Sequence, residues 1–418
     1  MHSSTALRNL RLIVTGGGTG GHTYPALTTV NALRALLERA GHSLDVLWVG
    51  AEDSLEARVA AENGIAFESV AVGKVRRASN PLKMLSRENV RDMLNVPRGV
   101  AQARSLISDF APDVVLATGG YVAVPVGLAA ALSRCPLVVH EQTVRLGLAN
   151  KVLARPATSI AVSSPSTTPF LPDSTRDRAV VTGNPVRPEV LSGQADRAPE
   201  RLGFTGYTPD LPTVYVTGGA QGSVQINETV RDLLPWLLAR ANVVHQCGAD
   251  NVETLRSTTR DLPPGLLERY HLTAFVGPEL PDVLALADVV VSRSGAGTIA
   301  ELTALGKATV FIPLATSAGD EQRHNARHLQ ERGAAAALLD QVDADHLRAA
   351  VEPLLSDPAR RTEMADRARE EGRPDAADRL VGAPTHPGAV AAVHVGMLHR
   401  VRAGCPVRGV ARCGTSRA

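Results

Sequence analysis

Short β-branched and aliphatic runs alternate with longer stretches of helical period through most of the chain. Residues 10–15 predict a buried strand, followed by a glycine loop and a helix over about 25–40. Residues 44–49 predict a second strand with a helix over 54–63 behind it. Strands at 113–118 and 136–140 flank a helical 124–134. The scheme then restarts: 213–217 predicts a strand, 218–222 a glycine loop and 226–241 a helix. Further strands are expected at 242–247, 272–276, 289–291 and 308–312. Such alternation builds parallel sheets covered by helices on both faces. The predicted fold class is therefore α/β, with two doubly wound Rossmann-like domains facing across a cleft. They are expected over 1–186 and 212–380, joined by a Pro-, Asp- and Gly-rich linker at 187–211. Residues 381–418 lose the periodicity and are expected to form a disordered tail.

Composition narrows the function classes. Aromatic residues make up 3% of the 418-residue chain, too few for base-stacking platforms, so nucleic acid is not an expected partner. Net charge is +2, but the stretch after residue 380 holds five Arg and no acid, which leaves the body slightly acidic. Cys135, Cys247, Cys405 and Cys413 form no CxxC pair, and no Asp-x-Asp cluster stands in a loop, so no metal is expected. The longest apolar run, 122–132, falls short of the ~18 residues of a spanning helix, and no secretory signal pattern opens the chain. A cytoplasmic protein, or one that touches a membrane from that side, is the expectation.

Three loops carry candidate chemistry. Gly16-Gly-Gly-Thr-Gly-Gly-His22 follows a strand and precedes a helix, where backbone N–H groups and the helix dipole favour an anion. It is not GxGxxG, which weakens a dinucleotide reading. His22 stands at the helix entrance, either facing the crevice or bonding its own loop. Gly218-Gly-Ala-Gln-Gly222 is the matching loop of the second half, a site for a diphosphate or a tight turn. Ser294–Thr298 leave a third helix start bare, with Glu301 one turn further on. That carboxylate suits a ribose diol, or closes a capping box with Thr298. Without a metal, these helix starts and backbone donors would have to hold a diphosphate.

Taken together, Gly17-Gly-Thr-Gly-Gly-His22, Gly119-Gly-Tyr121, His140-Glu-Gln142, Thr182-Gly-Asn-Pro-Val-Arg187, Gly218-Gly-Ala-Gln-Gly222 and Ser292-Arg-Ser-Gly-Ala296 with Glu301 resemble the MurG family. These peptidoglycan enzymes add GlcNAc to undecaprenyl-diphospho-MurNAc-pentapeptide. The resemblance runs in order from about residue 10 to 380. It implies a GT-B fold and an inverting transfer from UDP-GlcNAc to lipid I, giving lipid II and UDP. It also implies a peripheral protein on the cytoplasmic face of the membrane, with no tightly bound cofactor. The donor would meet Thr19, Gly20, Gly21, Arg187, Ala220, Gln221, Val276, Ala296, Gly297, Thr298, Glu301 and Gln322. Tyr121, His140, Thr143 and Asn150 would face the acceptor or the cleft. His22 is the implied base, with Glu141 as the alternative base or as the group that orients the acceptor.

Three positions depart from the family pattern: Thr143 stands where Asn is usual, Ala220 where Ser is usual, and Gly297 where Leu is frequent. They point to a paralogue, either a second copy or a transferase for another lipid or natural product. Two other readings share the nucleotide sugar: a UDP-GlcNAc 2-epimerase, and a non-catalytic binding protein. Between Lys74 and Arg104, eight basic residues interleave with Leu82, Met84, Leu85, Met93, Leu94 and Val96. This segment reads equally as a surface for anionic lipid and as a helix with an ordinary core face.

Overall fold

The computed structural model describes residues 9–73 and 87–382. The first sheet contains β1 (Asn9–Thr15), β2 (Ser43–Gly50), β3 (Ala66–Ser69), β4 (Val114–Ala117), β5 (Leu137–Glu141), β6 (Ser159–Val162) and β7 (Ala179–Val181). All neighbours are parallel, in the order β3-β2-β1-β4-β5-β6-β7. Its crossover helices are α1 (Gly20–Arg39), α2 (Leu55–Glu62), α3 (Arg87–Phe110), α4 (Ala123–Leu132) and α5 (Leu148–Ala154). The central strands are buried on both faces, so 12–14, 114–117 and 137–139 read as unbroken apolar runs. Ile13, Val115 and Val139 pack under α3, α4 and α5; Leu12, Val14 and Leu116 pack under α1 and α2.

After α6 (Ala198–Leu202), the second sheet holds β8 (Thr213–Thr217), β9 (Asn242–Gln246), β10 (Tyr270–Thr273), β11 (Val289–Ser292), β12 (Ala308–Phe311) and β13 (Ala336–Ala337). It too is parallel, in the order β10-β9-β8-β11-β12-β13. Its helices are α7 (Val224–Leu238), α8 (Val252–Thr259), α9 (Pro264–Leu267), α10 (Leu280–Leu286), α11 (Ala296–Leu305), α12 (Glu321–Glu331), α13 (Ala344–Ser356) and α14 (Pro358–Glu371). The last described helix, α15 (Ala376–Val381), crosses back: Leu380 and Val381 are buried with Leu33 and Leu37 of α1. Sequence placed residues up to 380 in the second unit, and these two side chains complete the core of the first. Of the tail expected over 381–418, Val381 instead ends α15 and is buried, and 383–418 lie outside the described residues, as does 74–86 of the basic segment.

Two local expectations shift. The helix expected from about Pro25 begins at Gly20, so Gly20, Gly21 and His22 form its first turn and Pro25 lies inside it. Pro25 withholds one backbone hydrogen bond there, which a helix tolerates near its start. The strand expected over 272–276 ends at Thr273 and leaves Phe275 and Val276 in a loop.

Candidate active site in the cleft between the sheets

Both sheets reverse strand order beside their first strand, β1 next to β4 and β8 next to β11. A crevice opens at the carboxyl ends of strands at such a switch point, and ligands of open α/β sheets bind there. The glycine loops after β1 and β4 lie at one switch point. Those after β8 and β11 lie at the other. Helices α1 and α11 come into contact across the cleft. Val144 N–H donates to Asn325 Oδ1 (3.3 Å) from one side to the other, and Arg187 Nε donates to Glu301 Oε1 (2.7 Å).

On the first side, the glycine loop is tied down by its own neighbours. Gly17 N–H donates to Gly119 O (3.3 Å) and Gly18 N–H to Glu56 Oε2 (3.1 Å). Glu56 is a fully buried carboxylate under the loop, and it also accepts from Ala51 N–H. The amides open to a ligand are therefore those of Gly20 and Gly21 in the first turn of α1, because the N-cap residue Thr19 makes no side-chain capping bond to them. Gly119 has a φ of +104°, a backbone conformation that favours glycine, and a Cβ there would also crowd the His22 ring at 3.0 Å.

His22 Nδ1 lies 2.9 Å from Thr118 O and 3.1 Å from Gln142 Oε1. Both are acceptors, so Nδ1 carries the proton and Nε2 keeps its lone pair. Gln142 is itself fixed: its Nε2 donates to Thr118 O (2.6 Å) and reaches His140 Nδ1 (3.2 Å). His140 Nε2 donates to Gly183 O (3.0 Å). The expectation that His140 touches the acceptor is thereby corrected. It is wholly buried, and burial pushes its pKa down to about 4, so it is a neutral link that orients Gln142 and through it His22.

Glu141, the alternative base, is also enclosed. Oε1 accepts from Thr143 N–H (3.0 Å) and lies 2.7 Å from Thr143 Oγ1; Oε2 accepts from Gly147 N–H (2.9 Å) and Asn150 Nδ2 (2.9 Å). With its exposure at 2%, this carboxylate has no free face for an acceptor proton. It organises the 143–150 turn instead. Thr143, expected in the cleft, is buried within that turn. Asn150 is buried as well, and its Oδ1 is left without a hydrogen bond. Tyr121 is half-buried beside Gly18, its hydroxyl pKa raised by burial and by the Glu56 charge.

On the second side, α11 is capped by Gly295 with no side-chain bond, so Thr298 is inside the helix and the capping-box reading fails. The first-turn amides of Ala296, Gly297 and Thr298 lack intrahelical partners. Gly297 has open space where a Cβ would stand. Ala220 and Gln221 are exposed at the loop after β8. Arg293, which sequence reading did not single out as a site residue, bridges the two loops. Its guanidinium donates to Ser223 Oγ (2.6 Å), Gln225 Oε1 (3.0 Å) and the carbonyls of Ile312 and Pro313. Gln322 Oε1 accepts from Leu314 N–H (3.0 Å), which leaves its NH₂ to donate. Val276 is buried, and its N–H is taken by Gln246 Oε1 (2.8 Å). Glu56 and Gln246 gain their roles from contacts distant in sequence and stand in no motif, whereas Gln142 and Arg293 stand in motifs of the resemblance but gain their roles only from these contacts. Among the described residues no cluster of three metal-ligating side chains occurs.

Residues 12–162 match the glycosyltransferase family 28 N-terminal domain and 213–380 match the glycosyltransferase family 28 C-terminal domain. A relative from Halalkalibacterium halodurans is 35% identical, the match covering 89% of this chain and 98% of that one. One from Limosilactobacillus fermentum is 36% identical over 89% of this chain and 97% of its own. Both are named UDP-N-acetylglucosamine–N-acetylmuramyl-(pentapeptide) pyrophosphoryl-undecaprenol N-acetylglucosamine transferase. The crystal structure of Acinetobacter baumannii MurG superposes with a TM-score of 0.69 at 27% identity, covering 89% of this chain and 98% of that one. A UDP-GlcNAc 2-epimerase from Neisseria meningitidis, bound to UDP-GlcNAc, shares the fold at 13% identity with a TM-score of 0.63, over 94% of this chain and all of that one.

Proposed function

The chain belongs to the MurG family of family 28 glycosyltransferases, and from that premise we propose how its cleft moves GlcNAc from UDP-GlcNAc to the muramyl sugar of lipid I. The reaction is an inverting hexosyl transfer that yields lipid II and UDP. The observation that carries the mechanism is the His22 tautomer. With Nδ1–H held by Thr118 O, Nε2 is the acceptor for the proton of the attacking MurNAc 4-hydroxyl. The leaving diphosphate sits on helix starts. The amides at Ala296–Thr298, the loop at Ala220–Gln221 and the Arg293 guanidinium between them supply fixed positive ends as charge develops. Thr19, Gly20 and Gly21 meet the donor from the opposite side. Glu301 receives the ribose diol while Arg187 holds one of its oxygens. Val276 borders the base, and the free Gln322 amide reaches the sugar hydroxyls.

The acceptor side is built on Tyr121 and on the turn that Glu141 organises through its bonds to Gly147 and the buried Asn150. Thr143 keeps this turn in the absence of the usual Asn, because its hydroxyl bonds Glu141. Ala220 still offers its backbone amide, which is independent of the side chain. The departures are thus compatible with transfer.

No described helix is long and apolar enough to cross a membrane. The acceptor's lipid anchor calls for a peripheral contact with an anionic surface on the cytoplasmic side. Support comes from the helical layer of α3, α4 and α5, where Leu132, Leu148 and Val152 are exposed beside Lys151 and Arg155. In sequence, the basic 74–86 stretch immediately precedes α3. Incubation with UDP-GlcNAc and a soluble lipid I analogue tests the reading: a disaccharide product supports it. Formation of UDP-ManNAc, or binding without turnover, contradicts it.

A further inference from the structure

Gln246 stands at the end of β9, the strand between β8 and β10, with 4% of its surface exposed. Its amide joins three places. Nε2 donates to Gly219 O (2.8 Å) and to Thr217 Oγ1 (3.1 Å); Oε1 accepts from Val276 N–H (2.8 Å). The orientation is unambiguous, because Gly219 O can only accept and Val276 N–H can only donate. Thr217 Oγ1 in turn accepts from Gly219 N–H (3.0 Å). The loop after β8 is thus held at both its carbonyl and its amide at Gly219, and the same side chain holds the loop after β10.

Backbone bonds do not duplicate this tie. Cys247 and Gly248 bond to Thr273 and Ala274, which secures β9 to β10 but stops short of Val276. Among the described residues, no backbone hydrogen bond joins 217–222 to 275–277. On the donor reading given above, on which this step rests, the first loop holds the diphosphate and the second borders the base. We infer that Gln246 is a positioning residue that sets the spacing between the base and diphosphate subsites of the donor site.

Two subsites held at the correct spacing bind a joined ligand far better than either fragment, and a lost tie reduces that gain more than it reduces fragment binding. The test is NMR titration of uridine and of UDP into the full chain, as wild type, Gln246→Met and Gln246→Glu. Met keeps the length and removes all three bonds. Glu keeps the bond from Val276 N–H but cannot donate to Gly219 O. In both variants the ratio of UDP to uridine affinity falls by about tenfold or more, while uridine affinity changes by less than about threefold. The Glu variant carries the test if Met does not fold. A ratio within threefold of wild type in a folded variant overturns the inference, as does an equal loss of both ligands. Wild type that binds neither ligand overturns the donor reading instead.

Discussion

His22 Nδ1 and Thr118 O are 2.9 Å apart across the two glycine loops of the first sheet, 96 residues apart in sequence. The bond selects the tautomer in which Nε2 can take a proton. His22→Ala therefore lowers kcat by roughly 10²–10⁴-fold, the range for a positioned base, and leaves UDP affinity near wild type. A variant that keeps most of kcat removes the base from His22.

Glu141 gives a contrasting expectation. Its two oxygens are enclosed by Thr143, Gly147 and Asn150. Glu141→Gln turns an NH₂ toward one set of these donors and costs about 2–4 kcal/mol of stability in urea unfolding. kcat falls only as the turn loosens. A variant as stable as wild type whose kcat falls as far as that of His22→Ala would make Glu141 the base.

Glu301 and Arg187 form an ion pair in which the carboxylate is 18% and the guanidinium 34% exposed. Removing the ribose contact weakens ground state and transition state alike, so Glu301→Ala raises KM for UDP-GlcNAc by more than it lowers kcat. Arg187→Ala does the same through the pair. Because the two share one interaction, the double variant loses less than the sum of the singles. Additive losses show that Arg187 reaches the donor independently.

Much of this was legible beforehand. The order strand, glycine loop, helix is a local pattern, and it marked the loops after β1 and β8 that the strand order then places at the two switch points. Burial of individual polar residues was not legible. The family resemblance alone put His140 and Glu141 on the acceptor side, but β6 and the 143–150 turn cover them. The return of Leu380 to the first core and the Gln246 bonds likewise join residues far apart in sequence. The start of α1 at Gly20 was missed because Pro25 reads as a first-turn residue.

His140 and His245 make stability depend on pH. Burial lowers their pKa values to about 4 and about 3, and each ring sits neutral in hydrogen bonds. Between the ordinary histidine value and these lowered ones, the unfolded chain binds protons that the folded chain does not. Stability therefore falls as pH drops through that window. At pH 5 the loss is roughly 2 kcal/mol for each ring relative to neutral pH. Comparing urea midpoints at pH 7 and pH 5, His245→Gln shrinks the difference by its share. An unchanged difference would place His245 in solvent contact.

The most direct measurement of the account is the anomeric configuration of the product. UDP-GlcNAc carries an α-linked sugar, and a single attack by an acceptor hydroxyl deprotonated at His22 Nε2 inverts it. Proton NMR of the disaccharide formed on a soluble lipid I analogue should show only the β-linkage, with one UDP released for each bond made. An α-linked product, or UDP release with free GlcNAc and no disaccharide, would contradict transfer in this cleft.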